Sequence, residues 1–160
     1  MSSFCHFPER KLYPGILKHR VRCNAMTNKQ YEAGLKERTE VLGPEYVEKA
    51  LSSADNFNRD FQQIVTEYCW GGTWGRGVLE RKSRSILNLG MLAALGKSNE
   101  FKMHFRGAIR NGLSLEELRE VLIQIAIYCG IPAGVEAFRN AREVLSDMEI
   151  DLSTMDPGQL

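Results

Sequence analysis

An all-α fold, a compact single-domain helical bundle, is predicted by three features of this sequence. Apolar residues recur at three- and four-residue intervals along most of the chain. No stretch shows the strict alternation of a half-buried strand, and capping residues, glycines and prolines fall between the periodic stretches. With 160 residues, 43% of them hydrophobic and 26% charged, the chain is long enough for one domain with a true core.

Helical patterning begins after Met26. Thr27 and Gln30 have the spacing of a capping box, Tyr31, Leu35 and Leu42 follow at near-helical intervals, and Gly43-Pro44 ends that helix and starts a short second one bearing Tyr46, Val47, Ala50 and Leu51. After Asp55-Asn56, a third segment places Phe57, Phe61, Ile64, Val65 and Tyr68 on one apolar stripe. Four glycines between Trp70 and Gly77 read as a tight loop, whose backbone freedom would bring Trp70, Trp74 and Arg76 to one point.

The second half is more regular. Leu79 to Leu95, with Ile86, Leu87, Leu89, Met91 and Leu92, predicts a strongly apolar central helix ended by Gly96. Ser98 reads as the cap of the next helix, with Phe101, Phe105, Ala108 and Ile109 as its buried stripe and Asn111-Gly112 as its stop. Ser114 and Glu117 form a capping box with Leu113 and Leu118 on either side, so box and hydrophobic staple coincide. That helix runs through Val121, Leu122, Ile125 and Tyr128 to Gly130. Pro132 opens a last helix with Val135, Phe138, Val144, Leu145 and Met148.

The chain divides accordingly into a basic N-terminal extension over 1–26, a helical domain over 27–150 and a flexible tail over 151–160. Residues 1–25 hold five basic residues against Glu9 alone, a formal +4, and the remainder holds 16 basic and 19 acidic residues, a formal −3. A basic, aperiodic segment reads as a solvated tail or as sequence foreign to the fold, with a nucleic-acid arm as the sharper alternative; no nucleic-acid partner is expected. No apolar run approaches the ~18–20 residues that span a bilayer, so a cytoplasmic protein without a membrane partner is expected. Cys5, Cys23, Cys69 and Cys129 have no C-x-x-C spacing, which predicts free thiols and no metal site.

Chemistry-bearing residues concentrate between Glu67 and His104. This stretch contains Trp70, Trp74, Arg76, Arg84, Glu100 and His104, and the other histidines, His6 and His19, lie in the basic extension. From spacing alone, a core histidine bonded to backbone is the favoured reading of His104, Glu100 is equally well a first-turn residue favoured by the helix dipole, and the tryptophans are at least as often packing anchors.

Several ordered motifs add a resemblance. Val41-Leu-Gly-Pro-Glu-Tyr-Val47, the Glu67–Arg76 stretch, Arg84-Ser-Ile-Leu, Met91-Leu-Ala-Ala-Leu-Gly96, Glu100-x-x-x-His104, Ala108-Ile-Arg-Asn-Gly112 and Ala126-Ile-Tyr-Cys-Gly-Ile-Pro-Ala133 closely resemble the 4-carboxymuconolactone decarboxylases over about residues 28–147. By that resemblance the fold is alkyl-hydroperoxidase D-like and oligomeric, a homohexamer with a trimer as the alternative. In the hydroperoxidase branch a C-x-x-C-x-x-x-H motif performs thiol chemistry. Its cysteine positions fall here on Lys97 and Glu100, its histidine on His104, and its relay glutamate near Ser85.

The resemblance implies a carboxy-lyase of aromatic catabolism, in the β-ketoadipate pathway, acting on a small dicarboxylate lactone without a cofactor. His104 and Glu100 would be catalytic, as proton donor or charge stabiliser and its partner. Arg76 and Arg84 would grip carboxylates, Trp70 and Trp74 would wall the pocket, and Tyr128 would donate to an oxyanion. A hydroperoxidase-like redox protein and a non-catalytic oligomeric binding protein are the rival readings, as is a decarboxylase of another small acid.

Overall fold

A computed structural model of the chain describes residues 29–153 and 155. The expected basic extension, the Thr27 cap and the last residues of the tail lie outside the described residues. Described residues contain helices and turns and no strand.

Helix α1 covers 29–42 and ends where Gly43 adopts φ 94°, and Pro44 opens α2 (Pro44–Ser52). Asp55 accepts from the backbone N–H groups of Phe57 and Asn58, a turn that leads into α3 (Arg59–Ile64). The chain then stays helical where a loop was expected. It widens into π-helical turns over Val65–Gly71 and a 3-10 turn over Trp74–Arg76. Helices α4 (Arg81–Ala94), α5 (Ser98–Arg110), α6 (Leu115–Tyr128) and α7 (Ile131–Asp147) follow.

The Ser114 box is as the sequence predicts. Glu117 N–H donates to Ser114 Oγ at 3.2 Å and Ser114 N–H donates to Glu117 Oε2 at 2.8 Å, with Leu113 and Leu118 buried beside them. At α5 the expectation needs correction: Lys97 is the cap, and Ser98 is the first helical residue, its hydroxyl donating to Glu136 of α7. Losing a side-chain cap there is offset by a tie between helices.

Two apolar clusters result. The larger joins α4 to α7 through Leu89, Phe101, Phe105, Leu118, Leu122 and Val144. The smaller gathers Val41, Leu42, Val47, Trp70 and Trp74, with Met103 of α5 packed against it. Helix α5 therefore touches both. Ion pairs stitch the periphery: Arg81 to Glu37 at 2.8 Å, with Glu40 beside it, Lys82 to Glu117 at 2.8 Å, and Lys102 to Glu143 at 2.6 Å.

Several apolar residues do not sit where the pattern suggests. Phe57 is 97% exposed, and Phe61, Ile64 and Tyr68 also face outward, because the side of this segment turned to α1 is polar: Gln62 and Thr66 meet the buried Arg38. Helix α4 does contact α5, α6 and α7, yet Ile86, Leu87, Met91 and Leu95 form an exposed apolar face rather than a central core. Val135 and Tyr128 are likewise exposed.

The glycines at 71 and 72 also act differently from expectation. Backbone angles reserved for glycine occur in this stretch only at Gly77, with φ 68°. Gly71 is needed for proximity instead, since a Cβ there would lie 2.1 Å from the Gln30 carbonyl oxygen.

Candidate active site

His104 is the single histidine among the described residues, and α5 presents it to the two indoles. Its ring centroid lies 6.1 Å from Trp70 and 6.2 Å from Trp74, with interplanar angles of 14° and 17°. The indoles are 5.0 Å apart and both are buried. Trp70 arrives on the π-helical segment and Trp74 on the 3-10 turn, so the irregular backbone between residues 65 and 76 brings both to one place. This is the part of the predicted site that the structure assembles.

The imidazole is half-buried, and its Nδ1 is fully enclosed without a hydrogen-bond partner among the described residues. Burial holds its pKa down to about 4, against the opposing pull of the Glu100 carboxylate. His104 is therefore neutral at neutral pH in the free chain. An unburied imidazole, with an ordinary value of ~6.5, would be partly protonated at that pH; burial removes that freedom.

Glu100 lies one turn before His104 on α5 and is exposed. It lines a cleft of ≈ 630 Å³ between α5 and the α1–α2 junction, together with Pro44, Tyr46, Met103, Arg106 and Arg110. This cleft is not the His104 site. Arg106 follows His104 by two residues, roughly 200° around the helix, so the cleft opens on another flank of α5, while Leu42 and Met103 line it and also pack in the cluster that holds the indoles. Arg110 is anchored there, donating to the Leu42 carbonyl at 2.8 Å. Sequence reasoning missed the cleft, although Asn99, Met103, Arg106 and Arg110 have the spacing of one helical face.

The remaining predicted residues stand apart. Arg76 is exposed on its 3-10 turn, and Arg84 donates through Nε to the Leu79 carbonyl at 3.1 Å. Neither makes a hydrogen bond or ion pair to the His104 cluster among the described residues. Tyr128, the last residue of α6, is 78% exposed and does not pack in the core of this chain.

Positions tied to thiol chemistry have other occupants. Ser85, where the resemblance would place a relay glutamate, is buried and accepts from Asn111 Nδ2 at 2.9 Å. Cys69 is exposed by area, yet desolvation of its thiol raises the pKa, with the Arg38 charge opposing. A raised pKa disfavours the nucleophilic thiolate. Among the described residues no three His, Cys, Asp or Glu side chains gather as metal ligands, and no helix is long and apolar enough to cross a membrane.

The described residues thus form an all-α domain in which one imidazole is wedged against two indoles. Residues 59–143 match the Carboxymuconolactone decarboxylase family, and the chain belongs to that family. It is 39% identical over 121 residues to 4-carboxymuconolactone decarboxylase of Acinetobacter baylyi, covering 76% of this chain and 90% of that one. It is 42% identical over 118 residues to nitrosuccinic acid decarboxylase of Metarhizium robertsii, covering 74% and 82%. A 4-carboxymuconolactone decarboxylase sequence from Pseudomonas putida matches over 47 residues at 38% identity, covering 29% and 98%. The protein is a carboxy-lyase.

Proposed function

We propose that the protein decarboxylates 4-carboxymuconolactone to 3-oxoadipate enol-lactone. The observation that carries this reading is the 39% identity running over 90% of the Acinetobacter baylyi decarboxylase. In this substrate the departing carboxylate is conjugated through the ring C=C to the lactone carbonyl. When the C–C bond breaks, carbon dioxide leaves and the electron pair spreads into a furanolate-like dienolate, which a proton on ring carbon then quenches. The substrate holds its own electron sink, so no step of this reaction calls on a cofactor.

The protein's part is to stabilise charge and place a proton. A neutral imidazole offers an N–H to the developing oxyanion, and walls of indole exclude water and strengthen that interaction. Glu100, whose charge already acts on His104, is the candidate for orienting the ring or relaying the proton. Arg76 and Arg84 remain the candidate carboxylate grips, and Tyr128 the candidate oxyanion donor, on the strength of the sequence motifs they occupy.

A second substrate is favoured by a specific observation, the 42% identity to the nitrosuccinic acid decarboxylase. Nitrosuccinate and 4-carboxymuconolactone share a succinate skeleton whose carbon bearing the lost carboxylate also bears an electron acceptor. A nitro group accepts the pair as a nitronate, as the lactone accepts it as a dienolate. Parallel assays on the two acids with the full chain test the reading. A kcat/KM at least tenfold higher for the lactone is expected; a preference for nitrosuccinate, or no turnover of the lactone, overturns it.

Self-association belongs to the same proposal, as a homohexamer. The outward faces of α4, with Leu87 and Met91, and of α6 and α7, with Ile127, Ile131 and Val135, supply apolar surface for it. Light scattering on the purified chain measures the subunit number.

A further inference from the structure

Three residues of α1, spaced one turn apart, grip the segment that carries Trp70. Gln30 Nε2 donates to the Glu67 carbonyl at 3.0 Å, an oxygen that also accepts the Gly72 N–H at 2.7 Å across a five-residue, π-type span. Gly34 lets the two backbones touch, since a Cβ there would stand 2.0 Å from the Thr66 carbonyl oxygen. Arg38 donates from one terminal nitrogen to Thr66 Oγ1 at 3.0 Å and from the other to Gln62 Oε1 at 2.9 Å. Thr66 in turn donates to the Gln62 carbonyl at 2.8 Å.

Arg38 is a costly device if its only purpose is packing. It is 4% exposed, its partners are neutral, and its Nε is enclosed without a partner among the described residues. Burial lowers its pKa from the ordinary guanidinium value, so the site works against the charge it contains. Gln30 is similarly placed against the turn that links the indoles: a Cβ on Gly71 or Gly72 would meet its side chain at 2.9 or 3.0 Å. Trp70 precedes those glycines and Trp74 follows them.

We infer that Gln30 and Arg38 are positioning residues for the His104 site, holding the π-helical segment in the register that presses Trp70 and Trp74 against the imidazole. Neither residue need touch substrate. Releasing either contact lets residues 65–72 relax toward ordinary α-helical winding, which turns Trp70 away from His104 and rehydrates the ring. The inference rests on the reading of His104 as catalytic only for its kinetic arm, because the indole contact is read independently of turnover.

The test uses Gln30→Met and Arg38→Met in the full chain, which retain bulk and remove the donors. His104 is titrated by NMR, with His104→Gln identifying its signal, and kcat and KM are measured on the acid that the wild type turns over. In Gln30→Met the His104 midpoint is expected to climb from about 4 toward 6.5, with kcat down about tenfold or more and KM changed less than about twofold. Arg38→Met is expected to act in the same direction. Should Arg38→Met fail to fold, Gln30→Met carries the test alone. A folded Gln30→Met protein with a wild-type His104 midpoint overturns the inference, whereas a raised midpoint with unchanged kcat upholds the positioning role and overturns the catalytic reading of His104. If the wild type decarboxylates neither acid, the proposed function fails, and the midpoint shift alone then decides the positioning role.

Discussion

Gly34 and Thr66 meet backbone to backbone: any side-chain carbon at residue 34 would lie 2.0 Å from the Thr66 carbonyl oxygen. No flexible group separates them, so α1 and the tryptophan-bearing segment are as close as two peptide backbones allow. Gly34→Ala is therefore expected to destabilise the protein by about 1–3 kcal/mol, the usual range for overpacking. Gly90, in the middle of α4, has nothing within 4 Å of its notional Cβ and ordinary helical surroundings. Gly90→Ala is expected to stabilise by about 0.5–1 kcal/mol. Urea midpoints of the two variants measure the contrast, and equal shifts would show that the α1 contact yields easily.

His104→Gln is expected to lower kcat about 10²-fold or more while leaving the melting temperature near that of the wild type. Its Nδ1 has no hydrogen-bond partner to lose among the described residues, where the ring's recorded contacts are to the two indoles. Arg76→Lys is expected to raise KM instead, because an ammonium cannot reproduce the guanidinium fork. Near-normal kcat in a folded His104→Gln protein would move the chemistry to Glu100.

A pH signature follows from the same ring. The folded chain protonates His104 at about 4, whereas an unfolded chain does so near 6.5. Between those values the unfolded state binds more protons, so stability falls as pH is lowered through that window and is unaffected by His104 above it. Carboxylates titrate nearby, so the informative quantity is a difference. Urea midpoints of wild type and His104→Gln, taken at pH 7, 5.5 and 4.5, should diverge steadily, with the variant losing less. Parallel curves would mean that the imidazole is protonated as easily in the fold as outside it.

Ser114→Ala should cost about 0.5–2 kcal/mol through loss of the α6 cap while leaving kcat unchanged. Thermal unfolding and a rate measurement on one sample check both halves. A large loss of turnover per folded molecule would tie the start of α6 to the site.

How much could be read beforehand depends on the range of the interaction. The Ser114 box was legible because its partners lie three residues apart. The stripe of Phe57, Phe61, Ile64 and Tyr68 was legible as a stripe, but periodicity reports which residues share a face and says nothing of what covers it; here Arg38, 24 and 28 residues away, selects the opposite face. Glycines 71 and 72 were read for their own backbone freedom, whereas their reason is Gln30, far off in sequence. His104 was identifiable as a candidate from motif and scarcity. Its charge state was not, because that depends on how closely two indoles enclose it.

The two apolar clusters that meet along α5 carry a consequence for how the molecule opens. Helices α4 to α7 share the larger cluster and contact one another densely, while residues 29–76 hold the indoles through the smaller one. A protein with two nuclei joined by one helix can lose the smaller while keeping the larger, so its amide protons should exchange in two tiers. Those of α1 and the π-helical turn belong to the faster tier, and those of Phe105, Leu122 and Val144 to the slower. Tryptophan emission then reports the partial opening by itself, since both indoles of the chain belong to the unit that opens first.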